Sequence, residues 1–199
     1  MSKILEKILV SGILLFLLPV FLMLYMLVRL DSEGGFLYTQ KRMGKNKKPF
    51  LIYKIRTMKV GAEKLKKKLV KFNEADGPVF KITDDPRLTK IGKFLSHSGL
   101  DELPQFFNIL KGEMGLVGPR PLPISEAKKV PKKYHKRFSI LPGISSSWVI
   151  NGSHNLTFQQ WMEYDLQDVS NITIKNNLKI FIKSILLIIN NVLSQLRRS

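Results

Sequence analysis

A long uncharged stretch near the N-terminus constrains this chain more than any other feature of its sequence. From Ile8 to Val28 there are 21 consecutive residues without a charged side chain, and 15 of them are Leu, Ile, Phe or Val. As one straight helix they would be about 31 Å long, close to the thickness of the hydrocarbon core of a bilayer. A core helix of a soluble protein normally carries a polar stripe, which this stretch lacks. The pattern therefore predicts that residues 1–30 are embedded in a membrane.

Pro19 lies in the middle of this stretch and predicts a break in the helix. Proline has no N–H to donate, and its ring clashes with the carbonyl group four residues earlier. Such a break either kinks a spanning helix or allows the chain to turn back and leave by the face it entered. Basic residues flank the stretch on both sides, which is typical of a re-entrant hairpin with two cytoplasmic ends, but the first flank is short. Charge alone therefore leaves both topologies open.

The overall charge narrows the kinds of partner that the chain can have. Of its 199 residues 33 are basic and 15 are acidic, which gives a formal net charge of +18. Such an excess indicates an anionic partner: a nucleic acid, a membrane surface or a phosphorylated substrate. The absence of cysteine excludes disulfides and thiolate metal sites, and His97, His135 and His154 are too scattered to indicate a zinc site.

Beyond the apolar stretch, short strand and helix patterns alternate over a length that suits one domain, residues 31–175. Strands are predicted at 36–40 and 49–55, joined by a basic turn, and helices near 60–73, 88–96, 101–110, 123–137 and 157–169. A strand that runs into a rigid loop is predicted at 114–121, and a strand or loop at 142–152. The last segment, 176–199, reads as an amphipathic helix that lies in the membrane interface, with core packing as the alternative. The fold class predicted is α/β, mostly helical with a small sheet.

Asp101 and Glu102 are the strongest candidates for chemistry. They are adjacent at the start of a predicted helix, and Arg120 follows fewer than twenty residues later between Pro119 and Pro121. Adjacent side chains on a helix point about 100° apart, so one acid could be a nucleophile while the other holds a metal ion or handles a proton. No Walker loop or dinucleotide fingerprint is present, so arginine and lysine would bind phosphate. By spacing alone, a helix cap and a surface arginine are the more ordinary interpretation.

Several short motifs occur in a recognisable order around these residues. They are Leu30-Asp31-Ser32, then 40–45, 49–58, 85–92, Leu100-Asp101-Glu102-Leu103-Pro104-Gln105 and Leu116-Val117-Gly118-Pro119-Arg120-Pro121, followed by Pro142-Gly143-Ile144 and Asn151-Gly152. In this order the sequence resembles the monotopic phosphoglycosyl transferases, bacterial sugar transferases that begin the assembly of surface polysaccharides and glycoconjugates. The resemblance covers nearly the whole chain.

This resemblance implies a re-entrant, proline-broken membrane helix that seats a catalytic domain on the cytoplasmic leaflet of the bacterial inner membrane. It also implies a Mg²⁺-dependent ping-pong reaction. In that reaction Asp101 attacks the β-phosphate of a UDP-sugar, UMP leaves, and membrane polyprenol phosphate then takes the sugar phosphate from the aspartyl intermediate. Glu102 would ligate Mg²⁺ beside Asp101 or act as a base. Substrate and phosphate binding would fall to Arg120, Pro119, Pro121, Lys54, Arg56 and Arg87.

The sequence departs from the family pattern at two positions where arginine is usual, which are Ser96 and Ser153 here. Charge-assisted hydrogen bonds of this kind are worth roughly 1.5–3 kcal/mol each, so their loss suggests a second hypothesis: a catalytically weakened member that acts as a membrane binding or scaffold partner. A third, a membrane-tethered nucleic-acid binder, is disfavoured because aromatic and basic residues do not interleave. The sugar, the pathway and a homodimeric state stay open.

Overall fold

The chain begins with two helices that are bent relative to each other at a short break. The computed structural model describes residues 3–152 and 156–197, so Ser153 and His154 lie outside the described residues. Helix α1 (Lys3–Phe16) and helix α2 (Leu18–Asp31) meet at an angle of 55°. Pro19 lies in the first turn of α2, so the bend precedes it by two residues. The predicted interruption is therefore a bend, located where the missing N–H of Pro19 weakens the helical hydrogen bonding.

Two small sheets support the loops that follow. Strands β1 (Leu37–Met43) and β2 (Pro49–Ile55) form an antiparallel hairpin that runs from the pair Leu37–Ile55 to the pair Met43–Pro49. Both predicted strands and the basic turn between them are confirmed. Strands β3 (Gly115–Val117) and β4 (Gly143–Ser145) pair in parallel, with Gly115 opposite Gly143. Strand β3 lies at the start of the strand-and-loop segment predicted at 114–121, and β4 lies within the strand or loop predicted at 142–152.

The remaining elements are helical. They are α3 (Ala62–Leu69), α4 (Lys90–Ser98), α5 (Gln105–Leu110), α6 (Ile124–Ala127), α7 (Ser147–Ile150), α8 (Phe158–Ser170) and α9 (Ile174–Leu196), with 3-10 turns at 70–72, 100–102 and 132–138. Threonines cap three of the longer helices: the hydroxyl groups of Thr89, Thr157 and Thr173 accept hydrogen bonds from backbone N–H groups in the first turns of α4, α8 and α9. The α/β class with mostly helical content is confirmed.

Two predicted helices were wrong in detail, and proline explains both. The single helix expected over 123–137 is divided, because Pro131 is extended at φ −56° and ψ 144° and separates α6 from a 3-10 turn. The helix expected over 101–110 begins only at Gln105, because Pro104 has no N–H with which to continue an α-helical ladder through the preceding turn. Asp101 and Glu102 therefore lie on the 3-10 turn 100–102, ahead of α5.

The apolar core joins the N-terminal helices to the rest of the chain. One cluster brings together side chains of α1, β2, α5, the 114–116 segment and α9: Val10, Leu14, Ile52, Phe106, Ile109, Met114, Leu116 and Phe181. A second joins α2 to β2 and α4 through Leu24, Val28, Ile55 and Leu95. A third lies under α6 and α8: Leu122, Ala127, Val130, Tyr134, Phe138, Phe158 and Met162. One face of each N-terminal helix therefore packs on the domain that carries the loops.

The opposite faces of α1, α2 and α9 expose large apolar side chains. Among these are Ile8, Leu15, Phe16, Leu22 and Met26, followed on α9 by Leu178, Ile182, Leu186, Ile189 and Leu193. Among the described residues, α9 is the single helix long and apolar enough to cross a membrane, and α1 with α2 would count as a second if the bent pair is one span. Helix α9 also buries Ile180, Phe181 and Ser184 against the domain. One face of this segment therefore packs on the core, which was the alternative to an interfacial helix.

Candidate active site

Asp101 and Glu102 are presented by a tight turn between two helices. Gly99 ends α4 with φ +83°, a left-handed conformation that glycine adopts without steric cost, and its N–H donates to Leu95 O at 3.0 Å. The 3-10 turn follows at once, closed by the Glu102 N–H donating to Gly99 O at 3.2 Å. The sharp reversal at Gly99 therefore fixes the direction in which both carboxylates leave the backbone.

Strand β2 delivers Lys54 to these carboxylates. The Lys54 Nζ donates to Asp101 Oδ2 at 3.0 Å and to Glu102 Oε1 at 2.8 Å. Asn108, which is fully buried on α5, fastens the strand: its Oδ1 accepts from Tyr53 N at 3.1 Å and its Nδ2 donates to Leu51 O at 2.7 Å. Because Asn108 bonds the backbone on both sides of Ile52, the strand is held in one register against α5 and Lys54 is aimed at the acidic pair.

Arg120 approaches Glu102 from the other side. Its Nη2 donates to Glu102 Oε1 at 2.5 Å and its Nη1 donates to Glu102 Oε2 at 3.1 Å, a bidentate pair. The loop that carries it follows β3 directly and is pressed against β4: Gly118 N donates to Ser145 O at 3.0 Å and Gly143 N donates to Pro119 O at 3.1 Å. A Cβ atom on Gly118 would lie 2.5 Å from Leu141 O, so the chains could not approach this closely with any other residue there.

Two further arginines hold the backbone of the Arg120 loop. The Arg42 Nη1 donates to Pro121 O at 3.0 Å, and the Arg137 Nη2 donates to Arg120 O at 2.7 Å. Arg137 is itself paired with Asp165 of α8, with its Nε 2.8 Å from Asp165 Oδ2. The buried pair therefore ties α8 to the loop that carries Arg120.

The two acids of the site have opposite pKa shifts. Burial raises the pKa of Asp101, with a further contribution from the negative charge of Glu102, while Lys54 acts in the opposite direction. Burial also opposes ionisation of Glu102, but the charges of Arg120 and Lys54 overcome it, so the pKa of Glu102 lies well below its usual range. Glu102 is therefore the acid of the pair that is more readily ionised. Asp101 is the more basic carboxylate, which suits a nucleophile.

A cleft too narrow to hold a water molecule adjoins the acidic pair. It is lined by Arg42, Ile52, Lys54, Gln105, Arg120 and Pro121. A second concavity on the other side of the Arg120 loop is lined by Met43, Gly44, Pro119, Arg120, Pro121, Arg137, Phe138, Ile140 and Pro142. Arg120 and Pro121 border both, so one loop shapes the surroundings of the pair. Cationic side chains border both openings, which favours an anionic ligand.

The structure brings together some of the predicted site residues and separates others. Asp101, Glu102, Lys54 and Arg120 form one cluster, and the flanking prolines of Arg120 are buried in its loop. The guanidinium groups of Arg87 and Arg56 are engaged elsewhere. Arg87 pairs with Asp85, Nε to Oδ1 at 2.9 Å and Nη2 to Oδ2 at 2.5 Å. Arg56 donates to Gly35 O at 2.6 Å and to Ser32 Oγ at 2.6 Å, which braces the connection after α2. Ser96 is exposed on α4.

Sequence reasoning missed Arg42, Gln105 and Asn108 as parts of this site. Arg42 and Gln105 lie within motifs that carry the family resemblance. Their spacing, however, does not indicate a role for either residue. Asn108 follows Gln105 by one helical turn, and an asparagine within an apolar run is the signal that could have identified it. The pairing of Arg137 with Asp165 spans 28 residues and left no local signal.

The two carboxylates offer a donor set that fits Mg²⁺. This ion is commonly held by one or two carboxylates together with substrate phosphates, and Asp101 and Glu102 already converge on one cationic group, the Lys54 Nζ. Within residues 3–152 and 156–197, no group of three or more His, Cys, Asp and Glu side chains could hold a metal ion. A metal at this site would thus depend on oxygen atoms that a bound ligand supplies.

The chain is similar to several bacterial proteins over most of its length. It is 40% identical over 161 residues to the galactosyl transferase CpsE of Streptococcus agalactiae, covering 80% of this chain and 36% of that protein. It is 37% identical over 188 residues to the UDP-glucose:undecaprenyl-phosphate glucose-1-phosphate transferase of Klebsiella pneumoniae, covering 89% and 38%. The exopolysaccharide production protein ExoY of Sinorhizobium fredii is 32% identical over 176 residues, covering 86% and 78%.

The chain thus spans little more than a third of the length of the first two relatives and corresponds to most of the third. The sequence profile of the bacterial sugar transferases matches residues 1–191, a range that includes every residue of the acidic cluster. The match covers well over half of the chain, and the resemblance seen in the motifs agrees with it. The chain belongs to the bacterial sugar transferase family.

Proposed function

We propose that this protein transfers a sugar phosphate from a UDP-sugar to membrane polyprenol phosphate and releases UMP, as the first membrane step of surface glycoconjugate assembly. The observation that carries the proposal is the cluster of Lys54, Asp101, Glu102 and Arg120, in which one basic carboxylate is held beside a more readily ionised carboxylate and two cations. Relatives with this reaction in their names support the choice of substrates.

The first half of the reaction is a displacement at the β-phosphorus of the donor. A carboxylate oxygen of Asp101 forms a bond to this phosphorus, and the bond from phosphorus to the bridging oxygen breaks. UMP leaves with that electron pair and an aspartyl-phosphosugar remains. Lys54, already within hydrogen-bond distance of Asp101, would neutralise charge on the phosphoryl oxygens, and Arg120 would do so from the other side of Glu102.

The second half returns the enzyme to its starting state. A phosphate oxygen of polyprenol phosphate attacks the same phosphorus, the bond to Asp101 breaks, and the carboxylate is restored as the polyprenyl diphosphate sugar forms. Because UMP leaves before the acceptor reacts, the two substrates can use the same cationic surroundings in turn.

Mg²⁺ bound by Asp101, Glu102 and the donor diphosphate would add positive charge where the phosphoryl group is transferred. Glu102 pairs with both Arg120 and Lys54, so the two cations are already placed beside the carboxylates that would hold the metal. We expect an excess of EDTA to abolish UMP release and an excess of Mg²⁺ to restore it. Thermal unfolding without nucleotide should be unchanged by EDTA, since the ligand supplies part of the metal site. A fall in the unfolding temperature on chelation would contradict this arrangement.

A lipid acceptor requires a site at the membrane surface, and the exposed apolar faces of α1, α2 and α9 support that location. We propose that the bent pair α1–α2 enters the cytoplasmic leaflet of the bacterial inner membrane and returns, with α9 lying along the interface. A re-entrant pair leaves the start of α1 and the end of α2 on the same side. Cysteines introduced at the exposed positions Lys7 and Glu33 should then both react with a membrane-impermeant maleimide on inverted vesicles and neither on intact spheroplasts.

The proposed activity is tested by UMP release. Full-length protein purified in detergent should release UMP from at least one UDP-sugar when Mg²⁺ and polyprenol phosphate are present. Arg120→Ala should lower that rate by about a hundredfold or more, since it removes a charged group that faces the transferred phosphate. If the wild-type protein releases no UMP from any of a broad panel of UDP-sugars, the proposal fails, and a binding or scaffold role becomes the better account.

A further inference from the structure

The cleft beside the acidic pair contains two hydrogen-bond donors that have no acceptor. Gln105 is 2% exposed, and its Nε2 has no hydrogen-bond partner among the described residues. The Nε of Arg42 is likewise buried without a partner in the described part of the chain. Both residues line the same cleft, together with Lys54 and Arg120. The two orphaned N–H groups therefore belong to residues that line one cleft, which must widen to admit a ligand oxygen.

A buried donor without an acceptor is unfavourable, and most such groups in native proteins are paired. Gln105 follows the catalytic turn after two residues and is the first residue of α5, so its position is tightly fixed. Leucine or methionine would fill a similar volume there without the cost of a buried amide. The retention of two unpaired donors in one cleft indicates that an acceptor arrives with a ligand.

The charge of the cleft identifies the kind of acceptor. Its lining carries Arg42, Lys54 and Arg120; Glu102 pairs with the last two, and Arg42 has no carboxylate within ion-pair distance among the described residues. Burial and the nearby charge of Arg120 lower the pKa of Arg42 to about 10, which still leaves the guanidinium charged at neutral pH. An anionic oxygen would satisfy the Arg42 Nε–H and the Gln105 amide at once, and it would offset the repulsion between Arg42 and Arg120.

We propose that Arg42 and Gln105 form a subsite for a phosphate oxygen, separate from the groups that Glu102 holds. The proposal rests on the proposed function, which places a phosphorylated ligand in this cleft. The phosphate belongs either to the nucleotide, where it is the one that leaves with UMP, or to the lipid acceptor. In either case Arg42 and Gln105 contact the substrate directly. Lys54 and Arg120 differ from them because they are paired with the two carboxylates.

The test compares ligand affinity with fold stability. Gln105→Leu removes the donors and keeps the volume, and Arg42→Lys keeps the charge and removes the guanidinium. Gln167→Leu, at an exposed position of α8, is the matched control. Binding of UMP and of a short-chain polyprenyl phosphate to the full-length proteins in detergent is measured by titration calorimetry, and thermal unfolding is followed in parallel.

We expect Gln105→Leu to weaken binding of UMP, of the lipid phosphate or of both by about tenfold or more. Its unfolding temperature should equal or exceed that of the wild type, because an unsatisfied buried amide has been removed. A loss confined to UMP assigns the subsite to the nucleotide, a loss confined to the lipid assigns it to the acceptor, and a loss of both means that it serves each half-reaction. The control should match the wild type in both measurements.

Unchanged affinity for both ligands in Gln105→Leu and Arg42→Lys would overturn the subsite, as would a wild-type protein that binds neither ligand. A lower unfolding temperature with unchanged affinity would show that Gln105 only supports the fold, and this also overturns it. If Gln105→Leu does not fold, Gln105→Met decides by the same criteria, because Arg42→Lys also removes the hydrogen bond from Arg42 to Pro121 O. UMP release by the wild type is measured separately. The subsite can therefore be overturned while the proposed function stands, and the proposed function can fail while the subsite stands.

Discussion

Two of the ion-paired groups in the described part of the chain, the acidic cluster of the site and the pair Arg137–Asp165, differ in how open they are to solvent. In the acidic cluster of the site, the side chains remain partly open: Arg120 is 32% exposed and Glu102 is 16% exposed. The pair Arg137–Asp165 is sealed, at 1% and 0%. The open cluster has two acids and two cations that a ligand can reach. The closed pair has one acid and one cation, and both side chains contact only other parts of the protein.

This difference in access teaches what each cluster can do. A charge that solvent or substrate can reach may exchange its partner, so Lys54 and Arg120 can turn from Glu102 and Asp101 to a phosphate. A sealed pair cannot change partners, and burying its two charges costs desolvation energy. Its role is to position the backbone: Arg137 donates to Arg120 O and thereby connects α8 to the loop that carries Arg120. Loss of a residue in the open cluster should mainly affect rate, and loss in the closed pair should mainly affect stability.

The largest expected effect is on rate, in Asp101→Asn. We expect UMP release to fall by at least about a thousandfold, because the amide cannot form the covalent intermediate. The unfolding temperature should not fall, since burial disfavours the ionised form of Asp101. Asp168→Asn, at a buried acid of α8 that accepts from Ser147 N, is the control, and it should retain UMP release. A fully active Asp101→Asn would remove the distinction between the clusters.

The closed pair should instead show its effect in stability. Asp165→Leu leaves Arg137 buried without its partner and should lower the free energy of unfolding by about 3–5 kcal/mol. The double variant Arg137→Met/Asp165→Leu removes both charges and should be less destabilised than the single one, as measured by urea unfolding. If the single and double variants lose equal stability, the two side chains do not act as a pair.

The smallest expected effect is a displacement of the pH profile. Turnover requires ionised Asp101, so it should decrease as the pH falls through the raised pKa of that group. The charge of Lys54 opposes this rise, so Lys54→Met should raise the pKa of Asp101 further and move the acidic limb to higher pH, in addition to lowering the rate. Lys111→Met, at an exposed lysine, should leave the midpoint where it is. An acidic limb that moves to lower pH in Lys54→Met would contradict the assignment.

The sequence predicted the parts of this site that are local and missed those that depend on packing. Asp101, Glu102 and Arg120 were found because they lie in short motifs with proline and glycine at fixed positions. The contact between Lys54 and Asp101 joins residues 47 positions apart, and Asn108 fixes the strand that carries Lys54. No periodicity or spacing in the sequence reveals either interaction. Pro131 is the sequence signal for the division of the helix predicted over 123–137, because proline lacks the N–H that an α-helix requires.

The most direct test of the central claim is the mass of the intact protein after incubation with a UDP-sugar and Mg²⁺ in the absence of polyprenol phosphate. The account predicts an increase equal to one phosphosugar group, located on Asp101 by peptide mapping, absent from Asp101→Asn and lost when polyprenol phosphate is added. UMP release with no covalent adduct under rapid quenching, or an adduct that persists in Asp101→Asn, would contradict it.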